Sequence, residues 1–241
     1  TLNGNVSLDF ANTQAGNFVL NSGSAAVVIA QDVTIDTEQG DTDDAGKILL
    51  GGATGGTGAA SAVSASATGK TLTLNAATNA ASKNGGEVSL GAVNNTAGGQ
   101  YLKTLSIDAR STNGTPGTTG TVHLNGGIAV DRQATGDAIT IASGDVRLTA
   151  AADTGFTFST NQTAANQAGN VNLTNATFSG TNTGIDLTIN TSSTTDGQAG
   201  TVSLGVFGNT GGGQYLNQLT VNTTDGTGAG GQVTLNGNVS L

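Results

Sequence analysis

The side chains able to do chemistry are few in this sequence and poorly gathered. Asp36, Glu38, Asp41, Asp43 and Asp44 form its one dense acidic group, five carboxylates within nine residues. Oxygen ligands at that density suit a hard cation such as Ca²⁺. Their spacing, however, is not that of an EF-hand, and no Gly-Gly-x-Gly-x-Asp nonapeptide recurs as in a calcium-loaded β-roll. The corresponding segments of the second half, 150–153 and 162–168, hold one acid between them. The expectation is a solvated acidic loop, with no metal site and no cofactor.

The single histidine, His123, lies between Val122 and Leu124 and should point outward from a strand, since Thr234 fills the same place in a related stretch. No Ser, Asp or Cys motif surrounds it that would make a nucleophile or a general base. Basic residues are scattered at Lys47, Lys70, Lys83, Lys103, Arg110, Arg132 and Arg147. Polysaccharide cleavage needs convergent carboxylates, so no catalytic residue and no enzyme activity is expected. Tyr101 and Tyr215 have the amphipathic ring that stacks on carbohydrate, but each follows Gly-Gly-Gln, which suggests a tight corner where Tyr covers the end of the core. Thr34, Thr73, Thr140, Thr188, Thr220 and Thr234 would suit an ice- or crystal-binding face. Ser7, Ser89, His123, Arg147, Asn172 and Asp186 interrupt that array, and strand propensity accounts for Thr at such positions.

The elements that hold these residues repeat. Residues 85–109 and 199–223 agree at 13 of 25 positions without a gap, at an offset of 114, and both contain Gly-Gly-Gln-Tyr-Leu. Each is followed by a matched close, Val122-His123-Leu124-Asn125-Gly126 and Val233-Thr234-Leu235-Asn236-Gly237. Over this lies a longer period. Residues 1–8, Thr-Leu-Asn-Gly-Asn-Val-Ser-Leu, return letter for letter as 234–241. The chain reads as one continuous segment over 1–241, with two divergent repeats at about 1–120 and 121–233 and the start of a next unit at 234–241. Neighbouring units of the same parent chain are then its expected partners.

Within the repeats, apolar–polar–apolar triplets such as Val33/Ile35, Leu72/Leu74, Val88/Leu90, Leu105/Ile107, Val171/Leu173 and Val202/Leu204 alternate with Gly, Asn, Asp and Thr. A period of two puts each pair inward on a short strand. Such strands bury too little to stand alone and need neighbours stacked above and below. Two or three strands per coil, with coils of roughly 20 to 25 residues, give an all-β parallel β-helix of about 50 Å. Asn75, Asn125, Asn190 and Asn236 after strands suit left-handed corners or side-chain ladders. Residues 51–69, rich in Gly, Ala and Ser, read as a loop leaving the stack or a coil of small side chains.

Composition agrees with a stack of coils. Thirty-nine Gly among 241 residues, with 10% charged residues, one Pro and no Cys, Met or Trp, excludes a disulfide framework and thiol chemistry. Low charge with recurrent β-branched residues speaks against disorder, and Gly and Thr density speaks against helix. A net charge of −9 with seven Lys and Arg makes nucleic acid and anionic lipid poor partners. No apolar run is long enough for membrane insertion as a helix.

The recurring forms G-x-V-x-L-x-G, L-T-(I/V)-(N/D)-(A/T) and L-N-G-N-V resemble the repeats of giant filamentous-haemagglutinin-like surface proteins of Gram-negative bacteria. The resemblance implies a right-handed parallel β-helix, secretion to the bacterial cell surface, and service as a rigid stalk or adhesive filament in contact with a host or partner cell surface. A carbohydrate- or calcium-binding adhesive module is the alternative it leaves open.

Overall fold

The computed structural model describes residues 1–8, 16–20, 26–40, 43–50, 61–95, 100–112, 119–163, 167–194, 198–209, 213–226 and 230–241. The chain winds as a parallel β-solenoid with three faces per turn. Face 1 stacks β1 (Val6–Ser7), β4 (Val33–Asp36), β7 (Thr71–Asn75), β9 (Thr104–Asp108), the first half of β12 (Asp137–Leu148), β14 (Asn170–Asn172), β17 (Val202–Leu204) and β20 (Val233–Leu235). Face 2 stacks β2 (Phe18–Leu20), β5 (Ile48–Leu50), β8 (Val88–Leu90), β10 (Thr121–Leu124), the second half of β12, β15 (Ala176–Gly180) and β18 (Val206–Phe207). Face 3 stacks β3 (Val27–Ile29), β6 (Val63–Ala65), a bridge at Val93, β11 (Ile128–Ala129), β13 (Gly155–Ser159), β16 (Asp186–Asn190) and β19 (Gln218–Asn222).

Alternation explains why these residues form these strands. On face 1 the pairs Val33/Ile35, Leu72/Leu74, Leu105/Ile107, Ile139/Ile141, Val171/Leu173 and Val202/Leu204 lie directly above one another, and all are buried. On any one face a strand buries no more than a few side chains, so each coil is stabilised by the coils on either side of it. In the second half, large rings fill the interior. Phe178 stacks on Phe207 with centroids 5.1 Å apart and meets Phe158 at 6.2 Å.

The coil is longer than the spacing of apolar pairs suggests. Val171 pairs with Val202 and Val202 with Val233, 31 residues a turn, and Val33 pairs with Leu72, 39 residues on. Leu105/Ile107 and Val122/Leu124 are successive faces of one turn, as are Ile139/Ile141 and Val146/Leu148, and a third face follows before the turn closes. With eight strands on face 1 at about 4.8 Å, the described stack is about 34 Å long, not 50 Å. Of residues 51–69, 51–60 lie outside the described residues; 61–65 stay in the stack, with Val63 and Ala65 in the core, and 66–69 form an exposed turn.

The internal repeat and the coil do not share a period. Val88-Ser89-Leu90 lies on face 2, whereas its copy Val202-Ser203-Leu204 lies on face 1. Leu105 and Ile107 are on face 1, and their copies Leu219 and Val221 on face 3. Val93 is on face 3, and its copy Phe207 on face 2. From β8 to β17 the chain passes Val93, β9, β10, β11, both halves of β12, β13, β14, β15 and β16, so the copy is eleven face positions on. Three faces per turn do not divide eleven, and the second copy is therefore rotated by one face.

The loops move with it. Gly86 and Gly120 close long loops between faces 1 and 2, donating to Ala76 and Ala109 carbonyls at 2.7 and 2.8 Å. In the second half, Gly200 and Gly231 close the equivalent loops between faces 3 and 1, on Thr191 and Thr223. β12 marks the change of phase. It runs twelve residues from face 1 into face 2 with no loop, and Ser143 at its bend donates to the Gly120 carbonyl at 2.5 Å.

Candidate functional site

The Gln-Tyr-Leu motif lines part of a concavity. Gln100 exchanges two backbone hydrogen bonds with Ala65 of the preceding coil, at 2.7 and 2.8 Å, in a local antiparallel bridge. Alternation then turns Tyr101 outward and Leu102 inward, where Leu102 is fully buried. Gln214 makes the same pair of bonds to Gly180, Leu216 is buried, and Tyr215 is 51% exposed. The leucine, not the tyrosine, covers the core at this corner. An apolar side chain can enter the interior without finding a partner for a hydroxyl.

Tyr101 forms part of the wall of a cleft of about 580 Å³ along the corner between faces 3 and 1, with Gln100, Lys103, Asp131, Gln133 and Thr163. Its floor is a hydrogen-bonded set. Asp131 accepts from the Gln162 backbone N–H at 3.0 Å, from Gln133 Nε2 at 3.1 Å and from Thr163 Oγ1 at 3.1 Å. Gln133 also donates to Thr163 at 2.8 Å. These residues come from three successive coils, each with its own spacing, so no linear motif marks them. Tyr101 stands out in the sequence as a repeated aromatic; Asp131, Gln133 and Thr163 do not. Asp131 is the one carboxylate among the described lining residues, so the cleft does not offer the two carboxylates that glycoside hydrolysis uses. It can hold a polar ring by stacking and hydrogen bonds.

The acidic group is spent on the protein itself. Asp36 accepts from Asn75 Nδ2 at 3.0 Å and from the Glu38 backbone N–H at 3.0 Å. Asp43 pairs with Lys83 at 2.9 Å and holds that ammonium above its ordinary pKa, chiefly through their hydrogen bond. Asp44 accepts from the Asn84 backbone N–H, and Glu38, 2% exposed, accepts from that of Asp43. Asp41 lies outside the described residues. Among the described residues no three His, Cys, Asp or Glu side chains gather to hold a metal ion.

His123 is not the exposed side chain its strand position suggests. It stands in register between Ser89 and Arg147 on the outer side of face 2 but is only 6% exposed, and Ser89 and Leu49 on the same side are also buried. Its Nδ1 approaches Thr149 Oγ1 at 3.4 Å. Burial pushes its pKa below 6.5; Glu87 and Asp145 oppose the shift, and Arg147 and Lys47 add to it. Arg147 and Asp145 form an ion pair at 2.7 Å beside it. The charged groups nearby balance one another, so the geometry is that of a neutral imidazole in a covered ladder.

Asparagine acts at strand ends without the left-handed conformation. Among the described residues, only Ser82 and Asp153 are non-glycine residues with positive φ. Asn75, Asn172, Asn190 and Asn222 instead accept from the backbone N–H two residues on, as do Asp36 and Asp108. This is the Asx turn that bends the chain off a face. Asn75 also bonds Asp36 of the coil before it, and Asn125 bonds Ser89. Thr34, Thr73, Ser106, Thr140, Asn172, Ser203 and Thr234 follow one another along face 1, so the threonine column is broken by other polar residues on a single face.

Fold and cleft together define the class as a three-faced parallel β-solenoid with a polar, aromatic-walled corner cleft. Comparison with known protein families, curated proteins and solved structures finds no match to the chain.

Proposed function

We propose that this chain is a rigid structural segment of an exported bacterial cell-surface adhesin, a length of stalk that carries or presents adhesive contacts. The observation that supports it most is the unbroken ladder from β1 to β20. Every coil is tied to the next on three faces, which gives a rod stiff along its axis with alternate side chains of most strands spent on its own core. A filament that must hold a contact away from a cell needs that stiffness and little else. Antibody raised against this chain and applied to intact cells of the source organism tests the reading. Surface labelling lost after brief external proteolysis supports it, and labelling only after lysis overturns it.

The Tyr101 cleft favours one second reading, a saccharide-binding module on the same rod. Tyr101 offers a stacking ring, and Asp131, Gln133 and Lys103 offer hydrogen-bonding groups for hydroxyls or a carboxylate of the sugar. A glycan array with the wild-type chain and Tyr101→Ala separates the two. Binding that falls at least about tenfold in Tyr101→Ala, the loss of roughly 1.4 kcal/mol, supports the module. No glycan retained by the wild-type chain leaves the plain stalk.

A further inference from the structure

The Tyr101 cleft shares its floor with a second concavity. A groove of about 340 Å³ lies on the outer side of face 3, and Gly127, Ile128 and Ala129 form its base. Farther along the same coil, past the buried Val130, Asp131, Gln133 and Ala134 line the cleft. The coils on either side supply the walls. Asn94 and Thr157 border the groove, and Tyr101 and Thr163 border the cleft. Gln162 joins the two. Its backbone N–H donates to Asp131 in the cleft at 3.0 Å, and its Nε2 donates to Ser159 in the groove at 2.7 Å. Residues 127–134 therefore run along the bottom of one trough that starts on face 3 and turns the corner toward face 1.

Small side chains open the trough. Asn94, Ala129 and Ser159 lie side by side across three coils, as do Ala92, Gly127 and Thr157, and in each row the middle residue is the smallest. The wall backbones stand one layer away on each side, about 10 Å apart, which admits a single chain. The floor offers no edge to a peptide. Ala129 and Asp131 N–H groups donate to Val93 and Leu102 of the preceding coil, and those of Val130 and Arg132 donate to Ser159 and Thr160 of the following one. Strand addition needs an open ladder, and this ladder is filled. What remains is an apolar strip at Gly127 and Ala129 between the hydroxyls and amides of Asn94, Thr157, Ser159 and Gln162, with the Tyr101 ring beyond it. A pyranose has the matching pattern, C–H groups on its faces and hydroxyls on its rim.

We propose that the trough holds a linear oligosaccharide along residues 127–134, with the Tyr101 cleft and the face 3 groove as consecutive subsites. The inference rests on the saccharide reading of the cleft, and adds to it a second subsite and a requirement for a chain. At roughly 3.3 Å per residue, the floor spans at most about 26 Å, longer than a single ring and long enough for several in a row. A disaccharide fills the cleft alone. A tetrasaccharide also reaches the groove, so its affinity includes the contacts at Ala129 and Thr157.

The test measures binding of the 241-residue chain by titration calorimetry to dimers and tetramers cut from linear glucans, chitin, xylan, mannan and polygalacturonate. Ala129→Ile fills the floor of the groove from a position outside the lining of the cleft. Thr157→Val removes a wall hydroxyl at an exposed position, where folding is undisturbed. Gly127 cannot serve, because a Cβ there would lie 2.8 Å from the Thr157 carbonyl oxygen. The proposal expects at least one tetramer to bind about tenfold or more tightly than its dimer. Ala129→Ile should abolish that gain and Thr157→Val reduce it, with dimer affinity and melting unchanged. If Ala129→Ile does not melt cooperatively, Thr157→Val decides. Tyr101→Ala, by contrast, should weaken dimer and tetramer alike. Equal affinity for dimer and tetramer, or a gain that survives both groove variants, overturns the second subsite and leaves the saccharide reading of the cleft standing. No binding of any oligomer to the wild-type chain overturns both.

Discussion

A single buried imidazole shows how residue-level physics enters stability here. His123 titrates below 6.5 because burial disfavours its charged form. The unfolded chain then binds the proton more readily than the folded one, so stability is complete above about pH 6.5 and falls as acid is added. His123→Thr, the residue at the matching place in the second repeat, removes this contribution. Urea denaturation of both proteins from pH 7.5 to 5.0 should show the wild type losing stability faster; parallel curves would contradict a neutral buried histidine. The acidic residues lead to a different expectation. Asp36, Asp43 and Asp44 already have protein partners, so millimolar Ca²⁺ or EDTA should move Tm by less than about 1 °C, where a saturated site would add roughly 2.7 kcal/mol at a hundredfold excess over Kd.

Coil packing is decided by backbone contact as much as by side chains. A Cβ added at Gly200 would lie 2.1 Å from the Gly169 carbonyl oxygen, and one at Gly86 would lie 1.9 Å from that of Gly46. These glycines let successive coils approach at the loop corners. Gly200→Ala should cost about 1–3 kcal/mol through the forced shift, whereas Gly208→Ala, with open space around it, should stay within about 0.5 kcal/mol. Chemical denaturation of the two variants compares them directly. Phe178, fully buried between Phe158 and Phe207, should cost about 3–5 kcal/mol as alanine, because its neighbours belong to different coils and cannot collapse together into the space.

The whole molecule behaves as a one-dimensional stack. Each coil contacts its neighbours alone, so protection should rise from the ends to the middle. β20 is exposed at all three residues, whereas β12 is mostly buried and bonded on both sides. Amide hydrogen exchange should therefore be fastest in β1 and β20 and slowest in β12, and uniform protection would argue against a chain of coupled coils. The one-face rotation between repeats also spreads every sequence feature around the rod. Tyr101 and Tyr215 stand at different corners for this reason, so the second tyrosine does not duplicate the cleft of the first.

Alternation of Val, Leu and Ile with Thr and Ser decided the strand identity of most elements, since inward and outward positions follow from a period of two. Glycine and asparagine decided where strands stop. Thus Leu72/Leu74 and Val202/Leu204 were legible as core, as was the parallel solenoid itself. β2, β3 and β6 were not, because their apolar pairs lie among small polar residues with no regular spacing. Coil length was also hidden, since one apolar pair looks like another whether the next face or the next turn follows. Only the tertiary structure decided which strands share a face. That choice depends on loop lengths summed over a whole turn, and through it on the placement of Asp131, Gln133 and Thr163 beside Tyr101, residues that proximity along the chain does not join.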